Sequence, residues 1–155
     1  LATAKGIAFG LGIPVIPFGT LQMIAFGVKD WGYEIFVALD ARMKEVYYAS
    51  FDDALREICP VAIAPPEQIV EIYPAGAILI GSAAGVIAPL LDKKGIPYKM
   101  AGIMSHLPSA VNLIGLEQLC PGNPGYDFDR LAELEPLYIR ESSAQIKHQK
   151  MEQTK

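Results

Sequence analysis

At residues 38–48 the chain reads ALDARMKEVYY, and two β-rich runs meet there at a charged turn. Apolar residues alternate with other residues before the turn, as they do on one face of a half-buried strand. A second β-rich run resumes directly after it. The pattern predicts a β-hairpin with strands near residues 33–39 and 45–51. On local physics alone, an ordinary polar turn is the favoured interpretation of its charged residues.

The rest of the chain alternates between helical patterns and short apolar runs. Helices are predicted at residues 1–11, 20–28, 65–71, 82–91 and 108–119, and short strands at 14–17, 77–80 and 98–101. A break at residues 29–32 and a turn-rich loop at 120–127 interrupt them. Strands interleaved with helices indicate an α/β fold.

Composition is typical of a globular chain. The 155 residues are 52% hydrophobic and 19% charged, which excludes a disordered chain. The net charge of −4 argues against strong autonomous binding to nucleic acid. The two cysteines, Cys59 and Cys120, fit a reducing cytoplasm better than a disulfide framework.

Two uncharged stretches, residues 6–28 and 72–91, are long enough to cross a bilayer. Prolines and glycines interrupt both of them, which favours buried strands and helices over a membrane span. The start of the chain also lacks the charged region of a signal peptide.

Few residues carry obvious chemistry. The only histidines are His106, which precedes a predicted helix and is interpreted as a cap or surface residue, and His148 in the polar tail, so no pair indicates a metal site. Asp40, Arg42 and Glu45 could form an acid–base group, but a solvated turn or a partner contact is the preferred interpretation because no nucleophile lies nearby in sequence.

A small-residue loop is the candidate phosphate site. Gly81, Ser82 and Ala83 follow an apolar strand and open a helix, which is the arrangement that presents backbone N–H groups to an anion. The loop lacks the lysine and the spacing of a Walker motif. The alternative is that the small residues allow the helix and the strand to pack closely.

Five motifs in this chain follow the order of the TsaB (YeaZ) family, which the chain resembles. They are ATAKGIA (2–8), IPVI (13–16), LQMIA (21–25), DARMKEVY (40–47) and EPLYIR (135–140). The motif residues singled out are Asp40, Ala41, Arg42, Glu45, Val46 and Tyr47 in the hairpin, and Glu135, Pro136, Tyr138 and Arg140 in the closing motif. Family segments that precede the ATAKG helix are absent, so we expect the chain to be part of a longer protein.

The resemblance implies the two-lobed actin-like ATPase fold, an α/β fold shared with sugar kinases and Hsp70. It divides the chain into the end of a first lobe at residues 1–30, a second lobe at 31–140 and a polar tail at 141–155. The lobe boundary falls at the break around residue 30.

The resemblance also implies a non-catalytic role in the cytoplasm. TsaB proteins pair with TsaD, which with TsaE and ATP places threonylcarbamoyl on adenosine 37 of ANN-decoding tRNAs, giving t6A. The chain is then expected to bind no metal or cofactor of its own and to meet tRNA only through the complex. A homodimer remains open.

The first helix is the candidate contact with the TsaD-type partner. The four candidate interface residues are spaced to share one helix side, and they are Ala4, Ile7, Ala8 and Leu11. A core role for these residues is an equal alternative. Two other functions stay open: an active enzyme of the same fold, such as a small-molecule kinase or a glycoprotease, and a generic protein-binding module.

Overall fold

A five-stranded mixed sheet lies at the centre of the structure, a computed structural model that describes residues 1–101, 125–136 and 139. The strands are β1 (Ile35–Asp40), β2 (Val46–Phe51), β3 (Glu57–Ala64), β4 (Ile78–Ile80) and β5 (Lys99–Met100). The helices are α1 (Ala2–Leu11), α2 (Thr20–Phe26), α3 (Pro66–Ile72), α4 (Ala84–Lys94) and α5 (Phe128–Glu133).

The strand order is β3-β2-β1-β4-β5. The pairs β1–β2 and β2–β3 are antiparallel, whereas β4 is parallel to β1 and β5 is parallel to β4. The predicted hairpin is confirmed: it places Leu39 opposite Tyr47 and Asp40 opposite Val46. Because β1 and β4 run in the same direction, both strands end at the same edge of the sheet.

Each face of the sheet buries its own apolar cluster, because successive side chains of a strand point to opposite faces. Phe36 and Leu79 lie in the cluster that α3 and α4 cover. Val37 and Ile80 lie in the cluster that α2 covers. Strands β1 and β4 are covered on both faces, which explains why their sequences read as continuous apolar runs. Helix α2 thus shares a core with the sheet.

Most predicted elements are confirmed to within a few residues, but the strand predicted at 14–17 is wrong. Residues 13–19 form no regular structure. Pro14 and Pro17 have no N–H to donate to a neighbouring strand, and no strand of the described ranges pairs with this segment. The helix predicted at 108–119 and the tail at 141–155 lie outside the described residues.

Two elements, β3 and α5, are not predicted from the sequence. The eight-residue β3 is an edge strand whose pairing with β2 shifts register twice. Pro60 lies at the first shift, where its missing N–H does not interrupt the hydrogen bonds between the strands.

None of the helices within the described ranges is long and apolar enough to cross a membrane.

The loop between β2 and β3 is organised by the carboxylate of Asp52. Its Oδ1 atom accepts hydrogen bonds from the N–H groups of Ala54 (3.0 Å) and Arg56 (2.8 Å). Its Oδ2 atom lies 2.6 Å from Nε of Arg56. The backbone hydrogen bond from Arg56 is the main reason that the pKa of Asp52 lies below its usual value. Loop formation therefore favours the ionised carboxylate.

Candidate functional site

The loop of Gly81, Ser82 and Ala83 connects β4 to α4 and contacts the carboxyl end of β1. Gly81 has a φ of 113°, and a Cβ atom at this position would lie 2.1 Å from the carbonyl oxygen of Ala38 in β1. Only glycine can adopt this backbone conformation without strain and without that collision. The sequence thus places glycine where the chain leaving β4 touches β1.

Backbone and side-chain hydrogen bonds hold this loop against β1. The Ala83 N–H donates to the Ala38 carbonyl (3.0 Å), and the Ala84 N–H donates to the Gly81 carbonyl (3.1 Å). The Ser82 hydroxyl oxygen accepts from the Asp40 N–H at 3.1 Å. The N–H groups of Ala83 and Ala84 are therefore already used within the protein, which favours the close-packing interpretation of the loop over phosphate binding. Nucleotide binding at the loop stays a prediction.

The hairpin turn is stabilised by its own polar groups. Oδ1 of Asp40 accepts a hydrogen bond from the Arg42 N–H at 2.7 Å, and the Ala41 N–H donates to the Glu45 carbonyl at 2.9 Å. Arg42, Met43 and Lys44 all have left-handed backbone conformations, with φ of 61°, 52° and 63°. Three such residues in succession are strained.

The hairpin motif divides between core and surface. Ala41 and Val46 are buried, whereas Arg42 and Lys44 are exposed. The described residues contain no group of three or more His, Cys, Asp or Glu side chains that could hold a metal ion. Asp40 thus has an observed structural role in the turn, as the solvated-turn interpretation expects, and the acid–base interpretation of the motif stays a prediction.

Cys59 on β3 is a free thiol. Burial is the main cause that raises its pKa, and the charge of Glu57 adds to the effect. A raised pKa leaves less of the reactive thiolate, so the residue does not have the character of an activated nucleophile.

Helices α1 and α5 pack together, although more than a hundred residues separate them in the sequence. Nζ of Lys5 donates to the carbonyl oxygens of Ala132 (2.7 Å) and Leu134 (2.9 Å). The rings of Phe9 and Phe128 meet edge to face with their centroids 5.7 Å apart. Lys5 and Phe9 are one helical turn apart on α1, so both lie on the side that faces α5, where 61% of Phe9 stays accessible to solvent.

The candidate interface residues of α1 divide into two sets. Ala4, Ile7 and Leu11 are exposed, with 56% of Ile7 and 68% of Leu11 accessible to solvent. Ala8 does not share this surface, because only 2% of it is accessible. Below, the name "open face of α1" means Ala4, Ile7 and Leu11.

The closing motif begins where α5 ends. Glu135 and Pro136 are exposed and directly follow Leu134, whose carbonyl Lys5 binds. Tyr138 and Arg140 lie outside the described residues, as do both histidines and Cys120.

Sequence reasoning missed the contact between Lys5 and α5, although one signal for α5 was available. Asp127 is the N-cap residue of α5, and its Oδ1 accepts hydrogen bonds from the N–H groups of Asp129 (2.9 Å) and Arg130 (3.2 Å). An aspartate before a short apolar segment is a typical helix start.

Comparison with known proteins assigns the family. Residues 1–145 match the family model described as TsaD: tRNA N6-adenosine threonylcarbamoyltransferase. The chain is also 27% identical to the tRNA threonylcarbamoyladenosine biosynthesis protein TsaB of Haemophilus influenzae, over 88% of this chain and 61% of that protein. The chain therefore belongs to the TsaD family as this model defines it, within its TsaB/YeaZ group.

Solved structures support the same fold. A Pseudomonas aeruginosa protein described as similar to peptidase YEAZ superposes with a TM-score of 0.65 at 22% identity, over 90% of this chain and 65% of that one. YeaZ from Pseudomonas aeruginosa superposes with a TM-score of 0.60 at 24% identity, over 76% of this chain and 57% of that one. Together with the family match, these structures confirm the predicted actin-like α/β fold. The chain spans less than two thirds of the length of each of these three proteins.

Proposed function

We propose that the protein is a scaffold subunit in the formation of t6A at adenosine 37 of tRNA, and that it binds a TsaD-type transferase through the open face of α1. The observation that carries the proposal is the family match over residues 1–145, together with the likeness to a TsaB protein along most of the chain. A TsaE-type ATPase, ATP and tRNA then belong to the assembled complex, which works in the cytoplasm.

The open face of α1 supports the choice of contact surface. Ile7 and Leu11 are large apolar side chains that stay more than half accessible, although burying each of them would contribute about 1.5–3 kcal/mol. Ala4 beside them is small enough to allow a second helix to approach. Such a surface fits a protein partner better than a small ligand.

Mass spectrometry of tRNA nucleosides tests the pathway. Depleting the full-length protein should lower t6A in bulk tRNA, and the intact gene should restore it. A normal t6A level after verified depletion would contradict the proposal and would favour a generic binding module of the same fold.

A matched pair of variants tests the contact surface. Ile7→Lys in the full-length protein should weaken binding to the TsaD-type partner at least about tenfold, because the charge loses its water in the interface. Ile72→Lys is the control, since Ile72 is also half exposed but lies on α3. Calorimetry that shows equal affinities for both variants and the wild type would exclude this face.

A bulky substitution at Ala8, the fourth candidate interface residue, would not test this surface cleanly. Because Ala8 is buried, a larger side chain there would disturb internal packing before it reached a partner. Ala4 remains suitable for that experiment, since it is exposed.

A second candidate function is catalysis by this protein, which the transferase description of the family model favours. Purified full-length protein that makes t6A without a TsaD-type partner would support it. A strict requirement for the partner would support the scaffold role, for which we expect no threonylcarbamoyl transfer by this subunit alone.

A further inference from the structure

Lys5 is the only charged residue among the first 28 positions of the chain. Its ammonium group does not point freely into solvent but contacts two carbonyl oxygens at the end of α5, at 2.7 and 2.9 Å. The last carbonyls of a helix have no partner within the helix and carry partial negative charge. A lysine from a distant part of the chain thus caps α5.

The cap acts together with apolar contacts on the same side of α1. Phe9 meets Phe128, and Ala8 of α1 and Leu131 of α5 are both buried. None of these residues belongs to either of the two core clusters of the sheet. Among the elements that the structure describes, α5 is the one against which α1 chiefly packs.

We propose that Lys5 is a positioning residue: by holding α5 on α1, it fixes the orientation of the open face of α1. Lys5 acts from the covered side of the helix and need not touch the partner. The proposal rests on the proposed function, because that function gives the open face its role. It links the ATAKG motif to the closing motif, since Lys5 binds the carbonyl that directly precedes Glu135.

Removing the ammonium group leaves two helix-terminal carbonyls without their donor, one of them at a partly buried contact. Hydrogen bonds to a charged group are stronger than those between neutral groups, although exposure to solvent reduces their contribution. We therefore expect local opening of α5 to become about tenfold more frequent in Lys5→Met. Methionine keeps the length and the helix propensity of the side chain, so α1 itself should persist.

The experiment compares Lys5→Met, Lys5→Arg and Lys93→Met in the full-length protein. Arginine keeps a cation that can donate to both carbonyls. Lys93 is an exposed lysine of α4, so its loss removes the same charge away from α1. Amide hydrogen exchange is measured for residues 128–136 and for β1 and β4, and affinity for the TsaD-type partner is measured by calorimetry.

The expected result for Lys5→Met is about tenfold faster exchange at 128–136, unchanged protection of β1 and β4, and about tenfold weaker partner binding. Lys5→Arg should keep the exchange rate at 128–136 and the partner affinity close to those of the wild type, and so should Lys93→Met. Phe128→Ala should repeat the loss without touching Lys5, because it loosens the same contact from the α5 side.

Two results would overturn the inference. Unchanged exchange of α5 in Lys5→Met would show that Lys5 does not hold this helix, and faster exchange with unchanged affinity would show that α5 does not position the open face. Failure of the proposed function is a distinct result, since the wild-type protein would then not bind the partner. The exchange measurement would still decide whether Lys5 holds α5.

Discussion

The sheet region and helix α1 have similarly apolar sequences but very different surroundings. Ile87 of α4 is completely buried between the sheet and α3, whereas 56% of Ile7 of α1 is accessible. In the sheet region, both faces of the central strands are covered by elements of this chain. The α1–α5 pair covers only one side of each helix, and none of the described residues covers the open face of α1. The comparison shows that an apolar helix pattern predicts a buried surface but does not tell whether the same chain or a partner chain covers it.

Backbone strain also differs between the two regions. In the sheet region, the chain is forced into close approach at Gly81 and into left-handed conformations at Leu55 and at 42–44 in the exposed hairpin turn. Dense packing can hold the strained backbone at Gly81 and Leu55, because many contacts act together there. Helix α1 has regular geometry and is held by a few contacts to α5.

The largest effect is expected for Gly81→Ala. Because the new Cβ atom would collide with the Ala38 carbonyl at an unfavourable φ, the free energy of unfolding should fall by about 4 kcal/mol. Gly85→Ala is the control: Gly85 is helical and has open space around it, so alanine should raise stability by about 0.5–1 kcal/mol. Urea unfolding of both variants measures the difference. Equal stabilities would mean that the β1–β4 junction is not as closely packed as described.

A second prediction applies one substitution to both regions. Ile87→Ala should lower the free energy of unfolding by about 3 kcal/mol, because it leaves a cavity in the core. Ile7→Ala should change it by less than about 0.5 kcal/mol, since the side chain is largely accessible. Thermal and urea unfolding of the full-length variants would check this. A large loss for Ile7→Ala would show that another part of the same protein covers α1.

The smallest effect concerns the Asp52 loop and depends on pH. The pKa of Asp52 is lowered in the folded state, so its contribution to stability is present above the usual carboxyl pKa and disappears as pH falls through the lowered value. Asp52→Asn should therefore be less stable than the wild type at neutral pH, and the difference should shrink as the pH falls from neutral to below the usual carboxyl pKa of 3.8.

Thermal unfolding across that pH range, with Asp53→Asn as the neighbouring control, tests the Asp52 prediction. A stability difference for Asp52→Asn that stays constant down to the lowest pH would contradict the role of the ionised carboxylate. Because Asp52 lies in the β2–β3 loop, the same measurement indicates how strongly that loop supports the sheet.

The hairpin, β4 and the helices of the sheet region could be predicted because their signals are local. Alternating apolar residues, a charged turn and helix-starting prolines act over a few positions. Strand β3 could not be found in this way, because Pro60 argues against a strand until the register shift that accommodates it is known. The short helix α5 has too few residues for a clear period, although Asp127 marked its start.

The candidate site shows the same limit. Helical spacing correctly placed Ala4, Ile7 and Leu11 on one side of α1, but it also included Ala8, which is buried. The strand predicted at 14–17 has apolar residues in a suitable pattern, yet it has no strand to pair with among the described residues. In both cases, the missing information is the position of a neighbour.

By itself, the sequence determined the α/β class, the hairpin, the order of most elements and the family, because periodicity, turn chemistry and motif order are properties of nearby residues. Only the tertiary structure decided that Gly81 lies against Ala38, that Lys5 caps α5, and which side of α1 is open. These contacts join residues that are between 43 and 129 positions apart. No local pattern specifies such pairs, because they depend on how all the elements pack together.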